Sequence, residues 1–282
     1  MKVVIIGAGG LVGGCLARRL ARGHEVLAPR RAELDVTDAG AAARFVEGER
    51  PHLVVNCAVL GVDECERDPG AARAVNADAP RALAAAAASA GAEFLHFSTN
   101  YVFDGERREP YDERDEPRPV NVYGRTKEEG ERAAFEANPR SYVVRTSWVF
   151  GAGKESFLST AHRELAAGRR VRAIGDTWAS VTFVEDLVSR VEEIVGASRR
   201  GLYHVVNEGV CTYEDFAREA ARLAGLNEDE AARLIETVTE SEVRRPDARP
   251  RYTPLRCLAS GELGLPPLRH WREALAAYVS QT

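Results

Sequence analysis

Tyr123 and Lys127, in the stretch YGRTK, are the first candidates for chemistry in this chain. The 282 residues contain 38 lysines and arginines, yet only Lys2, Lys127 and Lys154 are lysines. On a helix, side chains four positions apart lie on one face, so a phenol and an ammonium at this spacing can converge on one point. The same spacing also fits a tyrosine beside a solvated lysine. The elements that position the two residues must therefore decide between these interpretations.

The first half of the chain alternates short apolar runs with longer helical patterns. We predict strands at 2–7, 24–29, 52–58, 93–99 and 141–150, and helices at 11–23, 39–50, 71–91 and 123–137. Nearly continuous apolar strands that alternate with helices are typical of a parallel sheet covered on both faces. The sequence therefore predicts an α/β fold, with a doubly wound parallel sheet (Rossmann) over residues 1–150.

The pattern becomes looser beyond residue 150. Helices are predicted at 155–168, 183–197, 213–225 and 228–237, with a strand at 202–206. The tail that follows is predicted to be rich in loops, because it holds Pro246, Pro250, Pro254, Pro266 and Pro267. We interpret residues 151–182 and 207–282 as a smaller C-terminal substrate lobe, with 183–206 returning to the Rossmann domain.

A glycine-rich loop, GAGGLVG, follows the first strand directly and opens the first helix. Gly7, Gly10 and Gly13 there permit a tight turn, close approach of the backbone to a pyrophosphate, and tight packing of helix on strand. The helix N-terminus offers unpaired N–H groups to phosphates. A glycine-rich turn without a ligand is the alternative, and the strand–loop–helix context favours a dinucleotide.

The end of the second strand indicates which dinucleotide binds. The stretch APRR places Arg30 and Arg31 there, with no acid before Glu33. An arginine fork suits the 2′-phosphate of NADP, whereas a carboxylate would bind the ribose of NAD. We therefore favour NADP (NADPH), with NAD left open because arginines are abundant throughout the chain. Asp35, after an expected short third strand, either borders the adenine or is a turn residue.

Tyr123 has a chemical role available at the carboxyl edge of the sheet, where ligands of such folds lie. The strand 93–99 ends there with Ser98 and Thr99, and Tyr123 opens the next long helix. A phenol, with an ordinary pKa of about 10, can donate a proton to a carbonyl oxygen as a hydride arrives. Lys127 would lower that pKa, and Thr99 would hold the carbonyl. We predict Thr99, Tyr123 and Lys127 as catalytic residues.

Several motifs carry a resemblance to a known family. They include VDECE (62–66), VNADAP (75–80), STNYVFDG (98–105), YGRTKEEGE (123–131), RTSWVFG (145–151) and ARPRYTPL (248–255). With the glycine loop, they span nearly the whole chain, which resembles an extended short-chain dehydrogenase/reductase. The resemblance implies a Rossmann domain with a C-terminal nucleotide-sugar lobe. It also implies NADPH-dependent reduction of the 4-keto group of dTDP-4-dehydro-L-rhamnose to dTDP-L-rhamnose.

The resemblance also implies roles for individual residues. Substrate-binding positions are Val62, Thr99, Asn100, Tyr101 and Trp148, although Val62 and Trp148 are also compatible with the core. Asn76 resembles a helix asparagine that supports the lysine, or is a helix cap. The predicted cofactor site comprises Gly7, Gly10, Leu11, Val12, Gly13, Arg30, Arg31, Asp35, Val36, Cys57, Ala58, Asn76, Ser98, Tyr123 and Lys127.

Two departures from the family pattern affect the expectations. Asn100 stands where the family usually has aspartate after the threonine, which bears on the exact sugar. Some members bridge a dimer through a metal held by glutamates, one of them just after the glycine loop. Here that segment is GGCLARR (13–19), which contains no acid, so we predict no metal and leave a homodimer open.

Composition argues against several classes of function, and two alternatives to the reductase function remain open. A net charge of −5 argues against nucleic-acid binding, and no apolar run reaches the length of a membrane span. Five widely spaced cysteines without a ligand cluster favour a cytoplasmic location. A nucleotide-sugar epimerase of the same fold and a non-catalytic NADP-binding regulatory subunit remain as alternatives. A dehydratase is disfavoured because STN (98–100) supplies no carboxylate for eliminating water.

Overall fold

The computed structural model describes residues 1–243, 245 and 248–281. Within these residues the strands are β1 (Lys2–Ile6), β2 (Glu25–Leu27), β3 (Leu53–Asn56), β4 (Glu93–Thr99), β5 (Ser141–Thr146), β6 (Val149–Phe150), β7 (Val171–Ile174), β8 (Trp178–Ala179), β9 (Thr182–Phe183), β10 (Gly201–His204), β11 (Ile235–Val238) and β12 (Tyr252–Thr253). The helices are α1 (Leu11–Leu20), α2 (Ala39–Glu49), α3 (Val62–Arg67), α4 (Pro69–Arg73), α5 (Ala79–Ser89), α6 (Val122–Ala137), α7 (Phe157–Ala166), α8 (Val184–Gly196), α9 (Tyr213–Leu223), α10 (Glu228–Leu234), α11 (Ala259–Glu262) and α12 (Trp271–Val279).

A six-stranded parallel sheet is the centre of the fold, and it confirms the predicted α/β architecture. Its strand order is β2-β1-β3-β4-β5-β10. Successive residues of β1 face opposite sides of the sheet. Val3 and Ile5 pack in the core with α1 and α8, while Val4 and Ile6 pack with α2 and α5. Burial on both faces explains why β1 is apolar at every position from Val3 to Ile6.

The C-terminal half contributes both to this sheet and to smaller ones. The strand β10 lies beside β5, and α8 packs against α1. Separate two-stranded sheets pair β6 with β9, β7 with β11 and β8 with β12. The division into lobes at the boundaries proposed from sequence stays a prediction. None of the helices in the described part of the chain combines the length and apolar character needed to cross a bilayer.

The prediction of a short third strand before Asp35 is wrong. Residues 31–33 and 36–37 form turns instead. Side chains supply the local hydrogen bonds there: Glu33 accepts from the Arg30 N–H at 2.7 Å, and Asp35 accepts from the Thr37 N–H at 3.0 Å. Such short-range bonds compete with a strand ladder. Strand 93–99 is therefore the fourth strand of the chain rather than the fifth.

Three other boundaries differ from the expectations. The helix predicted at 71–91 is interrupted by a π-helical turn at Ala74–Asp78, where Pro80 cannot donate the N–H that an α-helix requires at the Asn76 carbonyl. The helix predicted at 228–237 ends early, because its last residues pair with β7 as β11. The tail predicted as loops also contains α12, which buries Trp271. Arg244, Pro246, Asp247 and Thr282 lie outside the described residues.

The helix α6 lies unusually close to its neighbours because of two glycines. A Cβ at Gly124 would lie 2.1 Å from the Tyr101 carbonyl oxygen, and one at Gly130 would lie 2.2 Å from the Asn76 carbonyl oxygen. Real Cβ atoms essentially never approach so closely, and backbone atoms cannot turn aside. Only glycine therefore lets α6 reach this depth.

We predict that Gly130→Ala destabilises the protein by about 1–3 kcal/mol, the usual range for overpacking. The thermal midpoint should fall by roughly 2–4 °C for each kcal/mol. Gly48→Ala is the matched control, since this exposed helical glycine has nothing within 4 Å of an added Cβ. The control should gain up to about 1 kcal/mol from helix propensity. Equal midpoints for the two variants would contradict the packing argument.

Candidate active site

The glycine loop is shaped by close backbone contacts. Gly7 has φ +80°, and a Cβ there would lie 2.7 Å from the Ala58 nitrogen; one at Gly13 would lie 2.5 Å from the Gly7 carbonyl oxygen. The Gly10 N–H donates to the Gly7 carbonyl at 3.0 Å, and Gly10 caps α1 without a side chain. The first turn of α1 thus presents backbone N–H groups with no side chain in front of them, as an anionic diphosphate requires.

Two adjoining cavities run along this loop. The larger, of about 880 Å³, is lined by Gly7, Gly10, Arg30, Arg31, Asp35, Val36, Cys57 and Ala58, among others. The smaller, of about 470 Å³, is lined by Gly10, Leu11, Val12, Gly13, Cys57, Ala58, Ser98, Tyr123 and Lys127, together with others. The two share Gly9, Gly10 and the segment 57–59. This double cavity fits a dinucleotide with its diphosphate at the loop and one nucleoside on each side.

The three predicted catalytic residues meet at the smaller cavity. Thr99 ends β4, Tyr123 lies in the first turn of α6, and Lys127 lies one turn later. Burial raises the pKa of Tyr123 to about 12, and a hydrogen bond with Thr99 opposes that shift. The Tyr101 ring meets the Tyr123 ring edge-on, with centroids 5.9 Å apart. The direction of the Tyr123 shift is opposite to the one expected from a neighbouring ammonium, because burial dominates.

Lys127 is directed into the sheet rather than into solvent. Its side chain is 2% exposed, and Nζ donates to the Phe97 carbonyl at 2.5 Å and lies 3.1 Å from His96 Nε2. Burial lowers the pKa of Lys127 to about 8. The solvated-lysine interpretation of YGRTK is therefore wrong.

Asn76 lies in the π-helical turn and bonds directly to the segment after β3 and to α6. Its Nδ2 donates to the Leu60 carbonyl, to Cys65 Sγ and to Thr126 Oγ1, and its Oδ1 accepts from the Leu60 N–H. These bonds tie the segment after β3 to α6. The Lys127 nitrogen bonds to His96 and Phe97 on β4, and support of this lysine by Asn76 stays a prediction.

The predicted substrate residues are distributed unevenly. Thr99, Asn100 and Trp148 line the smaller cavity. Asn100 is 2% exposed and donates to Thr253 Oγ1 at 2.7 Å, which connects it to the C-terminal part. Tyr101 is buried beside Tyr123, and Val62 is the half-buried first residue of α3. Neither of these two is among the described residues that line the cavity.

Trp148 shows backbone and ring geometry typical of a functional position. Its φ of +42° is rare for a residue with a side chain, and it interrupts the strand predicted at 141–150. Its ring stacks on Tyr213 with centroids 3.9 Å apart, and Tyr213 meets Phe157 edge-on. The strained backbone and the stack together fix the indole at the cavity.

Several lining residues were not predicted from the sequence. Thr146, Ser147 and Lys154 lie at the smaller cavity, and Tyr213 supports Trp148. The scarcity of lysine in this chain was a signal for Lys154. His96, a polar residue inside an apolar strand, was a signal for the group that meets Lys127. No comparable sequence feature marked Tyr213.

Comparison with known proteins identifies the family. The family model described as the RmlD substrate binding domain matches residues 1–282. A dTDP-4-dehydrorhamnose reductase of Mycolicibacterium smegmatis is 42% identical over 99% of this chain and 85% of its own length. One of Streptomyces griseus is 40% identical over 96% of this chain and 91% of its own. The chain belongs to the dTDP-4-dehydrorhamnose reductase family.

A solved structure agrees with this membership of the reductase family. The crystal structure of dTDP-4-dehydrorhamnose reductase from Bacillus anthracis in complex with NADP has a TM-score of 0.93 and 30% identity, covering 100% of this chain and 99% of that chain. The resemblance to an extended short-chain dehydrogenase/reductase is thereby confirmed. The likeness extends over the elements that form both cavities.

We predict that replacing Arg30 and Arg31 by alanine weakens NADPH binding by roughly 10–100-fold and hardly changes NADH binding. Both arginines are exposed on the larger cavity, and charge-assisted bonds to a phosphate are worth about 1.5–3 kcal/mol. Fluorescence titration of both cofactors measures the effect. Arg22→Ala is the control, an exposed arginine outside both cavity linings. Equal losses of affinity for the two cofactors would contradict the assignment of NADP.

We predict that Tyr123→Phe lowers kcat by roughly 10²–10⁴-fold, the scale of general-acid catalysis, with NADPH binding kept. Lys127→Arg should lower kcat by at least ~10-fold, because a planar guanidinium does not fit between Phe97 and His96. Lys2→Arg is the matched control, since this partly exposed lysine pairs with Glu49 and should keep parent turnover. Steady-state rates beside thermal midpoints separate chemistry from folding, and parent-like rates in both site variants would refute the roles.

Proposed function

We propose that this protein reduces the 4-keto group of dTDP-4-dehydro-L-rhamnose with NADPH and forms dTDP-L-rhamnose. The observation that carries the proposal is the convergence of Thr99, Tyr123 and Lys127 on the cavity that continues from the glycine loop. Membership of the reductase family over the whole chain supports the substrate. The intact set of three polar residues disfavours a regulatory subunit, which would not need all of them.

The residues of the chain divide the chemistry between them. When bound, NADPH supplies the hydride that reduces the carbonyl carbon. Thr99 holds the keto oxygen by a hydrogen bond from its hydroxyl, and Tyr123 gives its phenolic proton to that oxygen. A raised pKa keeps Tyr123 protonated at neutral pH, so the proton is present when needed. Trp148 offers an aromatic face to the sugar beside these groups.

The proposal also covers location, assembly and metal content. The cytoplasm is the proposed location, and five free cysteines suit a reducing compartment. A homodimer is compatible with the family and is left to measurement of the mass in solution. No metal that bridges a dimer is expected, since GGCLARR carries no acid, and turnover should therefore survive EDTA.

The test is oxidation of NADPH with dTDP-4-dehydro-L-rhamnose, beside the UDP and GDP analogues of this sugar. The expected result is a higher kcat/KM with the dTDP sugar and dTDP-L-rhamnose as the product identified by NMR. The same assay with EDTA should give the same rate. Absence of turnover with every keto sugar would overturn the proposal. So would NAD that stays tightly bound to the purified protein, together with epimerisation of a nucleotide sugar.

A further inference from the structure

Lys154 differs from the other two lysines of the chain in its surroundings. Lys2 is held by a carboxylate at 2.7 Å, and Lys127 is buried with its nitrogen bonded to β4. Lys154 is exposed and makes no hydrogen bond or ion pair with any residue that the structure describes. The neighbouring Glu155 is paired with Arg163 at 2.8 Å, so this carboxylate is already engaged. Lys154 therefore carries a charge that is available to a ligand.

The loop that carries Lys154 is fixed at both of its ends. At the first end, the Gly151 N–H donates to Ser159 Oγ at 3.2 Å. At the second end, Ser156 caps α7, and its Oγ accepts from the Ser159 N–H. Residues 152–155 connect these two anchors and cannot move far from them. The short connection therefore keeps the lysine at the mouth of the smaller cavity, which Lys154 lines.

The lining of the smaller cavity is positively charged. Among the described residues that form this lining, the charged side chains are Lys127 and Lys154, and no carboxylate is present. Lys127 is 2% exposed and its nitrogen is directed to β4, so Lys154 is the cation of this lining that an incoming ligand can reach. A cavity lined by charges of one sign concentrates ligands of the opposite sign. An anionic group is therefore expected beside Lys154.

The chemistry of the ligand follows from what else lines this cavity. Residues 9–13 of the glycine loop lie on it, and so does Trp148, which precedes Lys154 on the segment after β5. We propose that Lys154 binds a diphosphate group in the smaller cavity. The inference rests on the proposed function, which brings two such groups, one in NADPH and one in the dTDP sugar. A lysine ammonium, a compact charge on a flexible stem, suits contact with phosphate oxygens.

Two binding measurements on Lys154→Gln distinguish the two sources of diphosphate. One is fluorescence titration with NADPH, and the other is calorimetric titration of dTDP into protein saturated with NADP⁺. The variant should bind one of these ligands more weakly by roughly 5–30-fold, between the values of an exposed ion pair and of a charge-assisted hydrogen bond. A loss of NADPH affinity assigns the lysine to the cofactor, and a loss of dTDP affinity assigns it to the substrate. Parent affinities for both ligands would overturn the proposal.

Two control variants separate a direct contact from the net charge of the protein. Lys154→Arg keeps the positive charge and should retain most of the affinity, because a guanidinium also binds phosphate. Lys2→Gln removes the same charge from a lysine outside both cavity linings and should leave both affinities unchanged. If Lys2→Gln weakened binding as much as Lys154→Gln does, the contact would be refuted. Circular dichroism checks the folding of each variant.

A measurement on the unaltered protein tests the proposal if Lys154→Gln fails to fold. In protein labelled with ¹³C only at lysine, the three side chains give three sets of signals, and the set lost in Lys154→Arg belongs to Lys154. These signals should shift when NADPH or dTDP is added, while those of Lys2 stay in place. No shift with either ligand at saturation would refute the proposal. Both readouts measure binding rather than turnover, so the inference can fail while the proposed reductase activity stands, and the reverse.

Discussion

The close approach of α6 to β4 and to the π-helical turn at 74–78 is the contact on which the site depends. Gly124 and Gly130 remove the Cβ atoms that would hold the helix away. Tyr123, Lys127 and Glu131 follow each other at intervals of four residues, so they form one stripe on the face turned to the sheet. A helix held farther out could not bring a lysine nitrogen to 2.5 Å from a β4 carbonyl.

The stripe places charges where water is excluded, and each charge has to be satisfied by the protein. Glu131 binds Arg145 with two hydrogen bonds and accepts a third from Ser98, so this pair links α6, β4 and β5. A buried ion pair contributes little net stability, yet removing one partner leaves an uncompensated charge. Its effect here is to fix where α6 sits along the sheet. Position, more than stability, is what the ion pair provides to Tyr123 and Lys127.

Much of this arrangement could be predicted from the sequence, because it depends on short-range patterns. The glycine loop, the apolar strands and the four-residue spacing of tyrosine and lysine each reflect a local rule. The partners of Asn76 and Lys127 could not be predicted, since they depend on the register of β3 and β4 and on a π-helical turn. The third strand expected before Asp35 does not form, because Glu33 and Asp35 accept local hydrogen bonds. The apolar pattern had favoured a strand there.

The two buried cations near the site show why an arginine-rich chain keeps a lysine at position 127. Arg145 stays charged and needs a carboxylate, which Glu131 supplies in the matching bidentate geometry. Lys127 instead meets a carbonyl and an imidazole, which offer no compensating charge. Burial without a carboxylate partner disfavours a positive charge. A lysine ammonium can lose a proton in such surroundings, whereas an arginine guanidinium cannot. Burial without a paired carboxylate therefore selects lysine, and the lowered pKa of Lys127 follows from the same condition.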